Sequence, residues 1–137
     1  MPSIDPTDDQ LAALADLPDA PEPLVMLNLL RYRDEAAYPE GFDAEPCSGR
    51  HAYRRYSAQA APQLAAVGGR VLWMGSGRLS VIGPEGEGWD EVLLVEYPSR
   101  EAFLTMLATP AYQTGVPHRR AALLDSRLIA TSAVDLP

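Results

Sequence analysis

The spacing of apolar positions changes period several times along the chain, and each change marks an element. Residues 24–32, LVMLNLLRY, are apolar on both faces of an extended chain, because strand side chains alternate. Met26, Asn28 and Leu30 share one face; Val25, Leu27, Leu29 and Arg31 share the other. WDEVLLVEY, 89–97, repeats the pattern, with Trp89, Glu91, Leu93, Val95 and Tyr97 opposite Asp90, Val92, Leu94 and Glu96. RVLWMGSGRLSVI, 70–82, reads as a strand or two strand pieces bent at Gly75 and Gly77, and 126–132 as a last strand. Elsewhere the period is helical. Leu11, Leu14 and Leu17 predict a helix over 5–17, capped by Asp5, begun by Pro6 and stopped by Pro18. Tyr53, Tyr56, Ala60, Leu64 and Val67 form a second stripe, kinked at Pro62 and ended by Gly68-Gly69. Ser99 caps a third helix carrying Ala102, Phe103, Met106 and Leu107, and Thr109-Pro110 starts another.

After the N-terminal helix the order is β-α-β-β-α-β. This predicts an α+β, ferredoxin-like fold: a four-stranded antiparallel sheet with helices on one face. The chain reads as a single domain, 1–137, with a helical extension at 5–17 and a core at 24–132. Residues 33–49 form a long polar connection. A solvated sheet face should alternate towards polar, yet both faces are apolar at the sheet centre. An uncovered apolar face is usually an interface, so a homodimer with sheets packed face to face is expected. Coverage by the N-terminal helix and the 33–49 loop is the alternative.

Composition narrows the function. The chain has 137 residues, 47% of them apolar, enough for one core. Its net charge is -8 and every one of its eleven basic residues is Arg. That excludes a lysine Schiff base and a P-loop lysine, and it argues against nucleic acid as a partner. The lone Cys47 cannot form an intrachain disulfide, no apolar run approaches ~20 residues, and no leader signal is visible. A cytoplasmic protein with no membrane partner is expected.

Polar residues set into apolar strands are the first candidates for chemistry. Asn28 or Arg31 would hold an oxyanion in a pocket; otherwise Asn28 bonds a loop backbone and Arg31 pairs with a carboxylate at the sheet edge. His51 and His118 are the two histidines, each beside an arginine that disfavours its charged form, and either would move a proton. Tyr53, Tyr56, Trp73, Trp89 and Tyr112 would line an aromatic cavity or simply fill the core. The histidines lack metal-ligand spacing, so no metal site and no cofactor are expected. GSG at 75–77 lacks the dinucleotide spacing, GxSxG is absent, and the adjacent Asp90 and Glu91 point to opposite faces.

YRRYSAQAAPQLAAVGGRVL and WDEVLLVEYPSREAFLTMLATPAYQ resemble the family of domains of unknown function numbered 1330, within the dimeric α/β-barrel superfamily. Tyr53, Tyr56, Pro62, Gly68 and Gly69 match its tyrosine pair, proline and double glycine. Tyr97-Pro98, Tyr112-Gln113, Arg119 and Asp125 match its later steps. The resemblance covers about 24–131, and the N-terminal helix and long loop mark a longer subtype. It implies the fold and the homodimer, and no activity. By analogy with the superfamily, the expectation is a metal-free enzyme of isomerase or cofactor-independent monooxygenase type. Its substrate would be a carbonyl or carboxylate metabolite, with His118, His51 and Asn28 catalytic. Arg31, Tyr56, Trp73, Trp89, Tyr112 and Arg119 would bind the ligand. The alternative is a non-catalytic binding or structural dimer.

Overall fold

The computed structural model describes residues 1–18 and 21–137. Strand β1 (Leu24–Tyr32) is an interior strand, which is why it is apolar on both faces. It pairs antiparallel with β3 (Glu91–Tyr97) on one side and β4 (Leu123–Ser132) on the other. β2 (Arg70–Ser76) forms the far edge against β3, giving the order β2-β3-β1-β4 expected of a ferredoxin-like sheet. Two helical layers pack on one face: α2 (Gly49–Ala66) and the run of α3 (Arg100–Ala108), α4 (Pro110–Gln113) and α5 (Val116–Ala122). The core lies between, with Met26, Leu30, Ala52, Phe103, Met106, Ala122 and Leu123 buried. The chain is therefore α+β with the predicted element order.

Several boundaries differ from the sequence reading. The N-terminal helix α1 spans Asp8–Ala15, because Thr7 and Gln10 form a reciprocal capping box that displaces the Asp5-Pro6 start. The stretch after Gly115 is helical, and the last strand begins at Leu123. The strand expected over 70–82 ends at Ser76. Beyond it, Leu79, Val81 and Ile82 pair with no strand among the described residues and stand 81%, 85% and 97% exposed. The connector at 18–23 lies partly outside the described residues.

Neither the N-terminal helix nor the 33–49 loop covers the second sheet face. α1 packs on α3, on the helical side. The loop lies along α2 and α5, tied by Ala37 N–H to the Ala121 carbonyl (2.8 Å) and Arg33 N–H to the Ala122 carbonyl (2.9 Å). Gly49 lets three backbones meet there: a Cβ on it would stand 2.2 Å from the Arg33 carbonyl oxygen and 2.6 Å from that of Ala122. What does fold onto the second face is part of the β2–β3 connection. Arg31 donates to the Gly86 carbonyl (3.3 Å), Arg127 approaches Glu87 (3.7 Å), and Arg127 stacks 5.2 Å from the Trp89 ring centroid. Arg31 thus holds a backbone carbonyl, not the edge carboxylate expected of it. The Asp125–Arg127 pair forms as expected, at 2.7 Å.

Candidate functional site

Between the sheet and the helices lies a cavity of about 670 Å³. Its floor is the core face of the sheet: Met26 and Asn28 from β1, Leu93, Val95 and Tyr97 from β3, Leu128 and Ala130 from β4. The α2 stripe supplies Tyr53, Tyr56, Ala60 and Leu64. The opposite wall comes from Phe103, Met106, Leu107 and Tyr112. Arg119 of α5 and Leu11 and Leu14 of α1 complete it, with Ser3 to Pro6 along one margin. Strand alternation explains the floor: Asn28 opposes Leu93 and Leu128 in register, so all three point to this side.

The lining is mostly apolar and carries a few polar groups. Tyr56 and Tyr112 join hydroxyls at 2.9 Å, and their rings meet edge to face. Tyr53 lies 5.1 Å from Tyr56, centroid to centroid. Burial pushes the Tyr53 hydroxyl up to about 12, with Arg119 pulling the other way, and burial holds Tyr56 well above the usual phenol range. Both are neutral donors at physiological pH. Asn28 donates from its amide to the Met26 carbonyl at 3.2 Å. Among the described residues its amide oxygen meets no donor. Arg119 donates to the Ile4 carbonyl and so pins the N-terminal segment beside the cavity. Ser126 donates to the Ser3 carbonyl, and the Asp125 carboxylate accepts from Ser3 N–H at 2.9 Å, holding the same segment.

Of the residues singled out in the sequence, Asn28, Tyr53, Tyr56, Tyr112 and Arg119 converge on this cavity. Arg31, Trp73 and Trp89 do not; Trp73 opposes Leu94 on the second sheet face, 54% exposed. His51 is exposed on the first turn of α2. His118 lies behind the 33–49 loop, its Nδ1 2.7 Å from the Tyr38 hydroxyl, which in turn accepts from Arg55 at 3.2 Å. Phe42 stacks on Tyr38 and meets the imidazole edge-on. Desolvation first, and Arg55 second, hold His118 below its ordinary value. Among the described residues no group of three or more His, Cys, Asp or Glu could hold a metal. The sequence reading missed the contribution of α1 and the N-terminal segment. The Leu11 and Leu14 spacing was the available signal, but it does not say which surface the stripe covers.

The fold and cavity define a ferredoxin-like domain with a largely apolar pocket between sheet and helices. The profile described as a domain of unknown function (DUF1330) matches residues 47–132, and the chain belongs to that family. The chain is also similar to RPA0582, a protein of unknown function from Rhodopseudomonas palustris. They share 40% identity over 99% of this chain and 100% of that one, with a TM-score of 0.89. The methylated form of RPA0582 gives 41% identity and the same TM-score, over 98% of this chain and 96% of that one. A dimeric, ferredoxin-like protein of unknown function from Bacteroides fragilis shares the fold at 11% identity. Its TM-score is 0.50, over 81% of this chain and 94% of that one. No curated protein matches the chain. Among the described residues no helix is long and apolar enough to cross a membrane.

Proposed function

We propose that this chain is a homodimeric small-molecule-binding protein. Its cavity takes a compact, mostly apolar metabolite bearing one carbonyl or carboxylate group. Asn28 carries this reading. Asn28 is a half-buried amide set into an apolar strand, where its desolvation has to be offset by hydrogen bonds. Among the described residues its bond to protein is intrastrand, and it lines the same cavity as the Tyr56–Tyr112 hydroxyl pair. A ligand oxygen and N–H or C–H edge fits that setting better than packing does. The hydroxyls of Tyr53, Tyr56 and Tyr112 are the groups in the lining that can orient a ligand or exchange a proton with it. Both histidines lie outside the cavity, and Asp5, the carboxylate at its margin, is held by Arg120 at 2.9 Å.

The homodimer rests on the second sheet face. Leu27, Leu29, Trp73, Leu94 and Ile129 lie on it, and Leu72 stands exposed beside the Trp73 bulge on the same edge strand. Arg31, Arg70 and Arg127 are balanced there by Glu87, Glu96 and Asp125, with Arg70–Glu96 at 3.0 Å. With Asp90 included, three arginines meet four carboxylates, so this face carries little of the chain's net charge of -8 and two copies can meet on it with little repulsion. The test pairs two variants. In a thermal-shift screen of small acids, ketones and lactones, Ala60→Phe should fill the cavity and abolish the responses of the parent. Trp73→Glu should convert a two-chain mass in light scattering to one chain. Equal ligand responses in parent and Ala60→Phe would overturn the binding reading.

A further inference from the structure

Two arginines of α5, Arg119 and Arg120, border the cavity, and Arg127 of β4 lies at its rim with its side chain on the second sheet face. Two of the three are answered by the protein itself. Arg120 pairs with Asp5 at 2.9 Å, and Arg127 with Asp125 at 2.7 Å and Glu87 at 3.7 Å. Arg119 has no carboxylate within 4.0 Å among the described residues; its bond is to the Ile4 carbonyl, which is neutral. Its charge reaches into the site, because it favours the ionised forms of both Tyr53 and Tyr56 against their burial. The rest of the wall is chiefly apolar, with Met26, Leu93, Phe103 and Met106 prominent.

A half-buried guanidinium without a counter-charge is costly, since it loses hydration and one neutral carbonyl repays only part of that. In a chain this rich in carboxylates, the missing partner at this one cavity arginine is a specific omission. We propose that the ligand supplies it. The metabolite is an organic monoanion whose carboxylate docks on Arg119, with its apolar body against Met26, Leu93, Phe103 and Met106. Guanidinium meets carboxylate through paired parallel hydrogen bonds, so the match is geometric as well as electrostatic. The single unanswered charge selects a monoanion. A phosphate dianion would carry a second negative charge into an apolar site with nothing to meet it. Asn28 and the Tyr56–Tyr112 pair then serve a second oxygen on the ligand. This inference rests on the reading of the cavity as a ligand site, and it narrows the carbonyl-or-carboxylate alternative to the acid.

Titration calorimetry with octanoate and its uncharged isostere octanamide separates the two claims. The full chain is compared with Arg119→Met, Arg119→Lys and the cavity-filled Ala60→Phe. Octanoate should bind about tenfold or more tightly than octanamide, a difference of the size expected for a charge-assisted pair. Arg119→Met should erase that preference, so that acid and amide bind the variant equally, Arg119→Lys should restore part of it, and Ala60→Phe should bind neither. If acid and amide bind the parent equally and Ala60→Phe removes both, the cavity is a ligand site and the anion proposal is overturned. If neither binds at millimolar concentration, or Ala60→Phe binds both as the parent does, the cavity reading falls and takes this proposal with it. The acid-to-amide ratio in the parent decides the matter even if Arg119→Met fails to fold.

Discussion

At Asn28 the sheet carries an amide between Met26 and Leu30, both buried, and its bond to the protein is the 3.2 Å donation within its own strand. A leucine there would lose little and gain apolar contact with Leu93 and Leu128, its register partners. Asn28→Leu is therefore expected to leave the unfolding midpoint unchanged or to raise stability by about 1 kcal/mol, while weakening ligand binding. Function kept at the expense of stability is the mark of a site residue, and chemical denaturation beside calorimetry reads both. A loss of stability with binding intact would make Asn28 structural. Tyr56 offers a contrast. Its hydroxyl is already satisfied by Tyr112 at 2.9 Å, so its removal costs stability as well as binding. The polarity of Asn28 was visible in the sequence, and so was its sharing a face with Met26. Which face carried the pocket was not, because a strand buried on both sides has no polar side to orient it.

The 33–49 connection is ordered by contacts that span the sequence, and two of them can be tested separately. At its base Gly49 sits where a Cβ would run into two carbonyl oxygens, at 2.2 Å and 2.6 Å. Neither acceptor belongs to a flexible side chain, so Gly49→Ala should destabilise by about 2 kcal/mol or more in thermal unfolding. At its far end the Tyr38 hydroxyl lies 2.7 Å from His118 Nδ1 and accepts from Arg55, and Arg55 also holds the Glu45 carbonyl at 2.9 Å. Desolvation and Arg55 favour the neutral imidazole, whose Nδ1 can accept from Tyr38. His118 also faces Phe42 from the loop and has Arg119 and Arg120 beside it on α5. Its folded value is lowered, so the unfolded chain binds the proton first. The contribution is complete above about 6.5, the ordinary histidine value, and is lost as pH falls through the lowered folded value. His118→Gln should flatten the stability profile over that range, and hydrogen exchange in 33–49 should quicken in the parent as the pH drops. A profile identical in parent and variant would remove His118 from the account. Nothing in the sequence joined Tyr38 to His118, which lie 80 positions apart.

Over the whole molecule, the order of elements and the antiparallel pairing were legible because period two and period 3.6 alternate cleanly in this chain. The overreach at 77–82 shows the limit of that signal. RLSVI alternates like a strand, but Gly77 lies against the Trp89 carbonyl and β3 begins only at Glu91, so no strand remains for it to pair with. The placement of α1 was likewise hidden, since its leucine stripe fits any apolar surface. Its position makes the N-terminal segment a wall of the cavity, fastened by Arg119, Ser126, Asp125 and Arg120 to the far end of the chain. The cavity is thus assembled from both ends of the sequence and both sides of the helical layer, which is why single motifs pointed to its residues without revealing the cavity.

The four methionines provide the most direct test of the central claim, that this cavity is where the protein meets its ligand. Met26 and Met106 line it; Met1 and Met74 do not. Carbon-13 methyl spectra of methionine-labelled protein, titrated with a panel of small carboxylates and ketones, should show the Met26 and Met106 resonances moving together while those of Met1 and Met74 stay fixed. Ligands that shift Met74 or Met1 and leave Met26 and Met106 in place would contradict the account.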